Sequence, residues 1–398
     1  MDSSPRASAA SRRALFLPSL VMASFSSGPI SVLATLLLVD IGSTFNTSVG
    51  VTGQINTSYS IAAFVFALLT GILSVKLRHK SLLLAGMLME MISALGCFFA
   101  PDFLWLLTFY SLSGAGYAIV NPMTFTLVGE HLPLEKRAKS IGWIVAGGAL
   151  VYLIGAPIIG LMSGFEGWRL PLPTFVIPVL LASFLLALLG LPSSSRNSGT
   201  ALNTKSHLNF KEIFSNRSAV ACLIGDTFRS AAFVAIVLYG VSFFRQRFLI
   251  PAEFASLVLL GGALPYVLGS LSTGRFVNRF GRKPSTVITA LLSGIFTISY
   301  VLVPNVLLSL LLFFMASWFF GMVASSANSL TLEQIPRLRG TMMSMDTAVL
   351  NAGSAFGTVA GGLALIYPNY EGLGIALGAI GIAAAIVFSI LAKDPTKS

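Results

Sequence analysis

A chain of 398 residues that is 55% hydrophobic and only 10% charged, yet carries a formal net charge of +11, is not an ordinary soluble protein. Soluble domains hold about 25% charged residues. The cationic excess raises nucleic acid as a partner, so the positions of those cations decide the class.

Runs of about 20 apolar residues, each able to cross a ~30 Å hydrocarbon layer, recur along the chain. They predict twelve membrane-spanning helices, at 15–39, 51–75, 81–100, 103–128, 139–163, 171–191, 218–243, 254–273, 284–303, 306–329, 341–365 and 373–392. "SRRALFL" (11–17) loosely resembles a twin-arginine export signal, but eleven further spans make the first helix an uncleaved one. Ser24 and Ser27 in it are polar candidates for a substrate cavity. Glu90 stands near the middle of the third span. An ionised group there costs roughly 2.5–3.5 kcal/mol to insert, and such groups are functional by default. Glu90 is therefore expected to be protonated or paired across helices, either as a proton carrier or as a neutral packing group.

The fourth span adds Tyr110, Tyr117 and Asn121 as cavity candidates, and the fifth contains "GAPIIG" (155–160). The stretch 191–218 is polar and rich in Ser and Asn, which reads as a flexible linker. It divides the chain into a first half at 1–191, a cytoplasmic linker at 192–216 and a second half at 217–398. In the seventh span, Asp226 and Arg229 lie three residues apart and share a helix face, as a structural ion pair or a proton-coupling site. Phe233 in the same span and Trp318 in the tenth are further cavity candidates. Asp346 stands about six residues into the eleventh span, where it would serve a cytoplasmic gate by capping or by pairing with a loop cation. The two cysteines, Cys97 and Cys222, fall within spans as small buried hydrophobes.

Twenty-one of the 25 cations lie on the termini and the even-numbered connections. Short cytoplasmic loops retain Lys and Arg, so both termini are expected in the cytoplasm of a multi-pass inner-membrane protein. The charge is a topology signal, and no nucleic-acid partner is expected.

The halves repeat. "GILSVKLRHK" (71–80) follows the second span as "GRFVNRFGRK" (274–283) follows the eighth, at an offset of 203 residues, and Gly155 and Gly160 meet Gly357 and Gly362 at 202. Gly274, Asn278, Arg279, Gly281, Arg282 and Lys283 resemble the signature loop of the major facilitator superfamily, with Asn in place of the usual Asp. The first copy keeps Gly71 and Lys76, with Val75 and Arg78 where the family has Asp and Gly. Gly155, Pro157 and Gly160 resemble the fifth-helix motif of that family's antiporters, and "GWR" (167–169) resembles its drug-efflux branch. Tyr110 stands where that branch commonly has an arginine.

The resemblance implies an all-α membrane protein of two pseudo-symmetric six-helix bundles, the signature loop forming part of a cytoplasmic gate. It implies a secondary transporter moving a small organic molecule by alternating access, coupled to protons and directed outward. Proton symport or facilitated uptake of a small metabolite is the alternative. Glycines 353, 357 and 361, spaced by four, are expected at a sliding contact between helices. No phosphate-binding loop G-x-x-x-x-G-K-[ST] and no HExxH or paired Ser–His or Cys–His pattern occurs, so neither ATP-driven pumping by this chain nor an enzyme is expected. The expected partners are the lipid bilayer, a small-molecule substrate and protons, with no cofactor and no metal, in a monomer.

Overall fold

The computed structural model describes residues 5–133, 140, 143–148, 150–192, 210–335, 339–366 and 370–394, all its regular elements being helical. The first span is broken: α1 (Pro5–Ser26) stops before Gly28 and α2 (Pro29–Leu36) continues it. Pro29 has no N–H to donate to the carbonyl one turn earlier, which frees the backbone at Ser27 and Gly28. After two short helical segments, Leu38–Thr44 and Val49–Thr52, come α3 (Gln54–Lys76), α4 (His79–Phe98) and α5 (Phe103–His131). A π-helical turn at Val151–Gly155 leads into α6 (Ala156–Glu166), so the wide turn directly precedes Pro157 and accommodates the missing proline donor. Helix α7 (Ile177–Gly190) closes the first half.

The second half runs through α8 (Arg217–Arg247), α9 (Ala252–Phe280), α10 (Arg282–Leu302), α11 (Val306–Leu332), α12 (Arg339–Ile366) and α13 (Tyr370–Ile390). By length and composition, eleven helices among the described residues suffice to cross a membrane. The twelfth expected span is α3, whose first turns, Gln54–Ser60, are mostly polar.

Contacts sort the chain into two compact units, Met1–Ile41 with Ser58–Thr200, and Gly42–Thr57 with Ala201–Ser398. In the first, Leu20, Leu83, Val120, Leu127 and Ile144 share a fully buried core. In the second, Cys222, Ala327, Leu330 and Phe388 do the same, while Thr57 reaches Thr358 at 2.7 Å between hydroxyls.

The glycine stripe of α12 lies at a helix contact. A Cβ on Gly353 or Gly357 would collide with the Thr227 and Ala231 carbonyls of α8. The stripe packs helix on helix inside one unit.

Candidate functional site

Helix α8 begins at Asn216, whose side chain accepts hydrogen bonds from the Ser218 and Ala219 amides. Three turns in, Asp226 is fully buried. Arg229 Nε donates to its Oδ1 at 2.8 Å and Thr331 Oγ1 of α11 donates to its Oδ2 at 2.9 Å. Helix α12 adds a second acid. Asp346 precedes Gly353 by two turns, so it lies on the face that Gly353 and Gly357 let approach α8; Ser230 of α8 also donates to the Leu350 carbonyl at 2.7 Å. Asp346 is 1% exposed and within hydrogen-bonding reach of Asp226, with Arg229 beside it. Its Oδ1 has no hydrogen-bond partner among the described residues.

Asp346 lies about two turns into α12. Among the described residues its charged neighbours are Asp226 and Arg229, not a loop cation. The reason is the tight α8–α12 crossing, which turns that helix face inward. Two carboxyls and one guanidinium thus share a buried cluster, with the Tyr266 hydroxyl near Arg229 and the Cys222 thiol near Asp226. Two carboxyl groups can hydrogen-bond each other only when one holds a proton. The aromatic neighbours of Tyr266 are ordered around Phe233, stacked on it at 4.8 Å, with Phe320 at 5.5 Å. Trp318 is half-buried in α11.

In the first unit, Ser27 at the break of the first span lies 3.0 Å from Glu90 Oε2 of α4. Tyr59 of α3 packs on Tyr110 at 5.7 Å and Tyr117 at 6.1 Å, and Asn121 Nδ2 donates to the Tyr117 hydroxyl at 3.4 Å. Ser24 is half-buried, next to Gly148. Gly155 and Gly160 are buried at the π-turn and in α6.

The repeated loops are unequal. Helix α9 runs through Phe280, so Gly274, Asn278 and Arg279 are helical and only Gly281 separates α9 from α10. Gly281 has φ 92°, in the region that favours glycine. Gly274 lies about two turns before the end of α9, and a Cβ there would meet nothing. Arg282 and Lys283 open α10. In the first copy Arg78 turns the chain with φ −70°, which any residue adopts. Gly71 and Lys76 end α3, their side chains outside those described. Lys80 donates to the Leu188 and Leu191 carbonyls at the end of α7, a helix cap that satisfies orphan acceptors. His79 Nδ1 and Glu130 are 2.6 Å apart. Neither the Lys80 cap nor Thr331 is visible in the sequence, where both are ordinary residues of their type. No group of three His, Cys, Asp or Glu that could hold a metal occurs among the described residues.

A description of the Major Facilitator Superfamily matches residues 19–251 and 227–398. The chain belongs to that superfamily. An uncharacterized MFS-type transporter, YceJ of Bacillus subtilis, is 24% identical over 89% of this chain and 90% of its own length. A probable sugar efflux transporter of Pasteurella multocida is 25% identical over 94% and 90%. The nucleoside transporter NupG superposes with a TM-score of 0.80 at 16% identity, covering 94% of this chain and 98% of its own. A bacterial homolog of the human lysosomal transporter Spinster superposes at 0.73 and 17%, covering 98% and 96%. The protein is a multi-pass membrane transporter of the major facilitator fold, not an enzyme.

Proposed function

We propose that this transporter exports a small organic molecule across the bacterial inner membrane in exchange for protons, with both termini in the cytoplasm. The buried cluster of Asp226, Arg229, Thr331 and Asp346 carries the reading. Two acids against one guanidinium leave one negative charge in a low-dielectric interior unless a proton neutralises it, and the proton belongs to the acid pair rather than to either residue. A change of conformation that wets the cluster lets the proton leave, and the empty cluster is then costly to bury again. Protonation and conformation become linked, as alternating access requires. The printed names of sugar efflux relatives support outward direction, and the cations on the even-numbered connections support the orientation.

The test uses proteoliposomes with an imposed proton gradient. Asp346→Asn and Asp226→Asn are each expected to lower gradient-driven flux at least about tenfold, which is about 1.4 kcal/mol of coupling. Counterflow without a gradient should persist in both. Full gradient-driven flux in both variants would remove the cluster from the mechanism.

A further inference from the structure

The first unit buries a second polar set that the proton cluster does not use. Glu90 is 1% exposed, held by a close α4–α5 crossing in which a Cβ on Gly116 would collide with Glu90 Cγ. Ser27 Oγ stands 3.0 Å from Glu90 Oε2 and 3.1 Å from the Ala23 carbonyl. One hydroxyl proton cannot serve both acceptors. If Ser27 donates to Ala23, the other contact is a hydrogen bond only when Glu90 carries the proton and donates to Ser27 Oγ. The neutral acid therefore satisfies all three atoms.

That leaves Glu90 Oε1 as a buried acceptor with no hydrogen-bond partner among the described residues, as is Ser113 Oγ. A native buried polar atom without a partner calls for an explanation. The titratable groups facing Glu90 are Tyr59 of α3 and Tyr117 of α5, with Ser27 from the first span; among the described residues no cation faces it. Both tyrosines are half-buried, and Tyr110, which packs on Tyr59, is buried.

We infer that the first unit holds a binding site for a neutral, hydroxyl-bearing ring molecule, one of whose hydroxyls donates to Oε1 of uncharged Glu90 while its apolar face lies on the rings of Tyr59 and Tyr117. Tyrosine supplies the combination such a ligand needs, an apolar ring with a polar tip. A cationic ligand would favour an ionised Glu90, which accepts from Ser27 and turns that hydroxyl away from the Ala23 carbonyl. A neutral polyol needs only the donors and acceptors already present. The inference rests on the transport reading for its physiological meaning, but it concerns equilibrium binding and is tested without a gradient.

The purified full chain is titrated by calorimetry with glucose, lactose and uridine as neutral probes and with tetraphenylphosphonium as a cationic one, at pH 6 and pH 8. Binding of at least one neutral probe is expected, equally at both pH values. Glu90→Gln, which keeps the Oε1 acceptor and donates to Ser27 as the acid does, should stay within about threefold, whereas Glu90→Leu should lose tenfold or more. Tyr117→Phe reads the hydroxyl separately, and size-exclusion profiles exclude misfolding. Asp346→Asn should bind as the parent does, so failure of coupling and failure of this site are distinguishable. No binding of any neutral probe overturns the proposal. So does binding of the cation alone, tighter at pH 8 and abolished by Glu90→Gln.

Discussion

The two halves solve the same burial problem in opposite ways. Asp226 and Arg229 follow Ser24 and Ser27 by 202 residues, and Ser293 follows Glu90 by 203. Where the second half places an acid and a base, the first places two hydroxyls. Where the first buries an acid, the second buries a serine whose hydroxyl donates to its own helix at the Ala290 carbonyl. One unit thus contains charges that compensate each other, and the other a single acid matched by neutral groups. The lesson is that a repeated scaffold can divide its labour: a charge cluster suited to holding a proton in one half, and neutral hydrogen-bonding atoms suited to a ligand in the other.

The largest expected effect breaks this comparison at equivalent positions. Arg229→Ala strands two acids beside each other and is expected to destabilise the protein by about 3–5 kcal/mol. Ser27→Ala, at the matching place in the first half, removes one neutral hydrogen bond and should cost about 1 kcal/mol. Adding Asp226→Asn to Arg229→Ala should restore much of the folding without restoring proton-driven flux. Thermal unfolding in detergent measures all three, and equal losses for the two single variants would end the claim that the halves differ electrostatically.

The connecting turns sharpen the comparison next. Gly281→Leu forces a side chain into a φ of 92°, a strain of roughly 1–3 kcal/mol, and should impair transport at equal membrane abundance. Arg78→Leu keeps an ordinary φ of −70° and should be nearly silent. The smallest effect concerns Gly274. It is helical and open on its Cβ side, so Gly274→Ala should stabilise by roughly 0.5–1 kcal/mol, read as a small rise in Tm.

Glycine between two cationic stretches marks a reversal of the chain, and Gly281 takes a positive φ there. Less legible was the end of α9: Arg275, Asn278 and Arg279 look like loop residues, yet they continue the helix beyond the apolar run. Charged side chains at the end of a membrane helix reach toward water without ending the helix. The neighbours of Asp346 were not legible either. Its depth was readable, but its direction depends on which face of α12 the glycines press onto α8.

From the sequence alone came the membrane environment, the number of spans, the internal repeat, the superfamily and the Asp226–Arg229 pair. Each depends on partition into hydrocarbon, on spacing along one helix or on the order of motifs along the chain, and none needs to know which helices touch. Only the tertiary structure decided that Thr331, 105 residues away, completes the shell of Asp226. It also placed Asp346 beside that pair and set Ser27 against Glu90, 63 residues apart. Those contacts depend on the rotation and depth of neighbouring helices. Side chains from many residues set these together, and no single span encodes them.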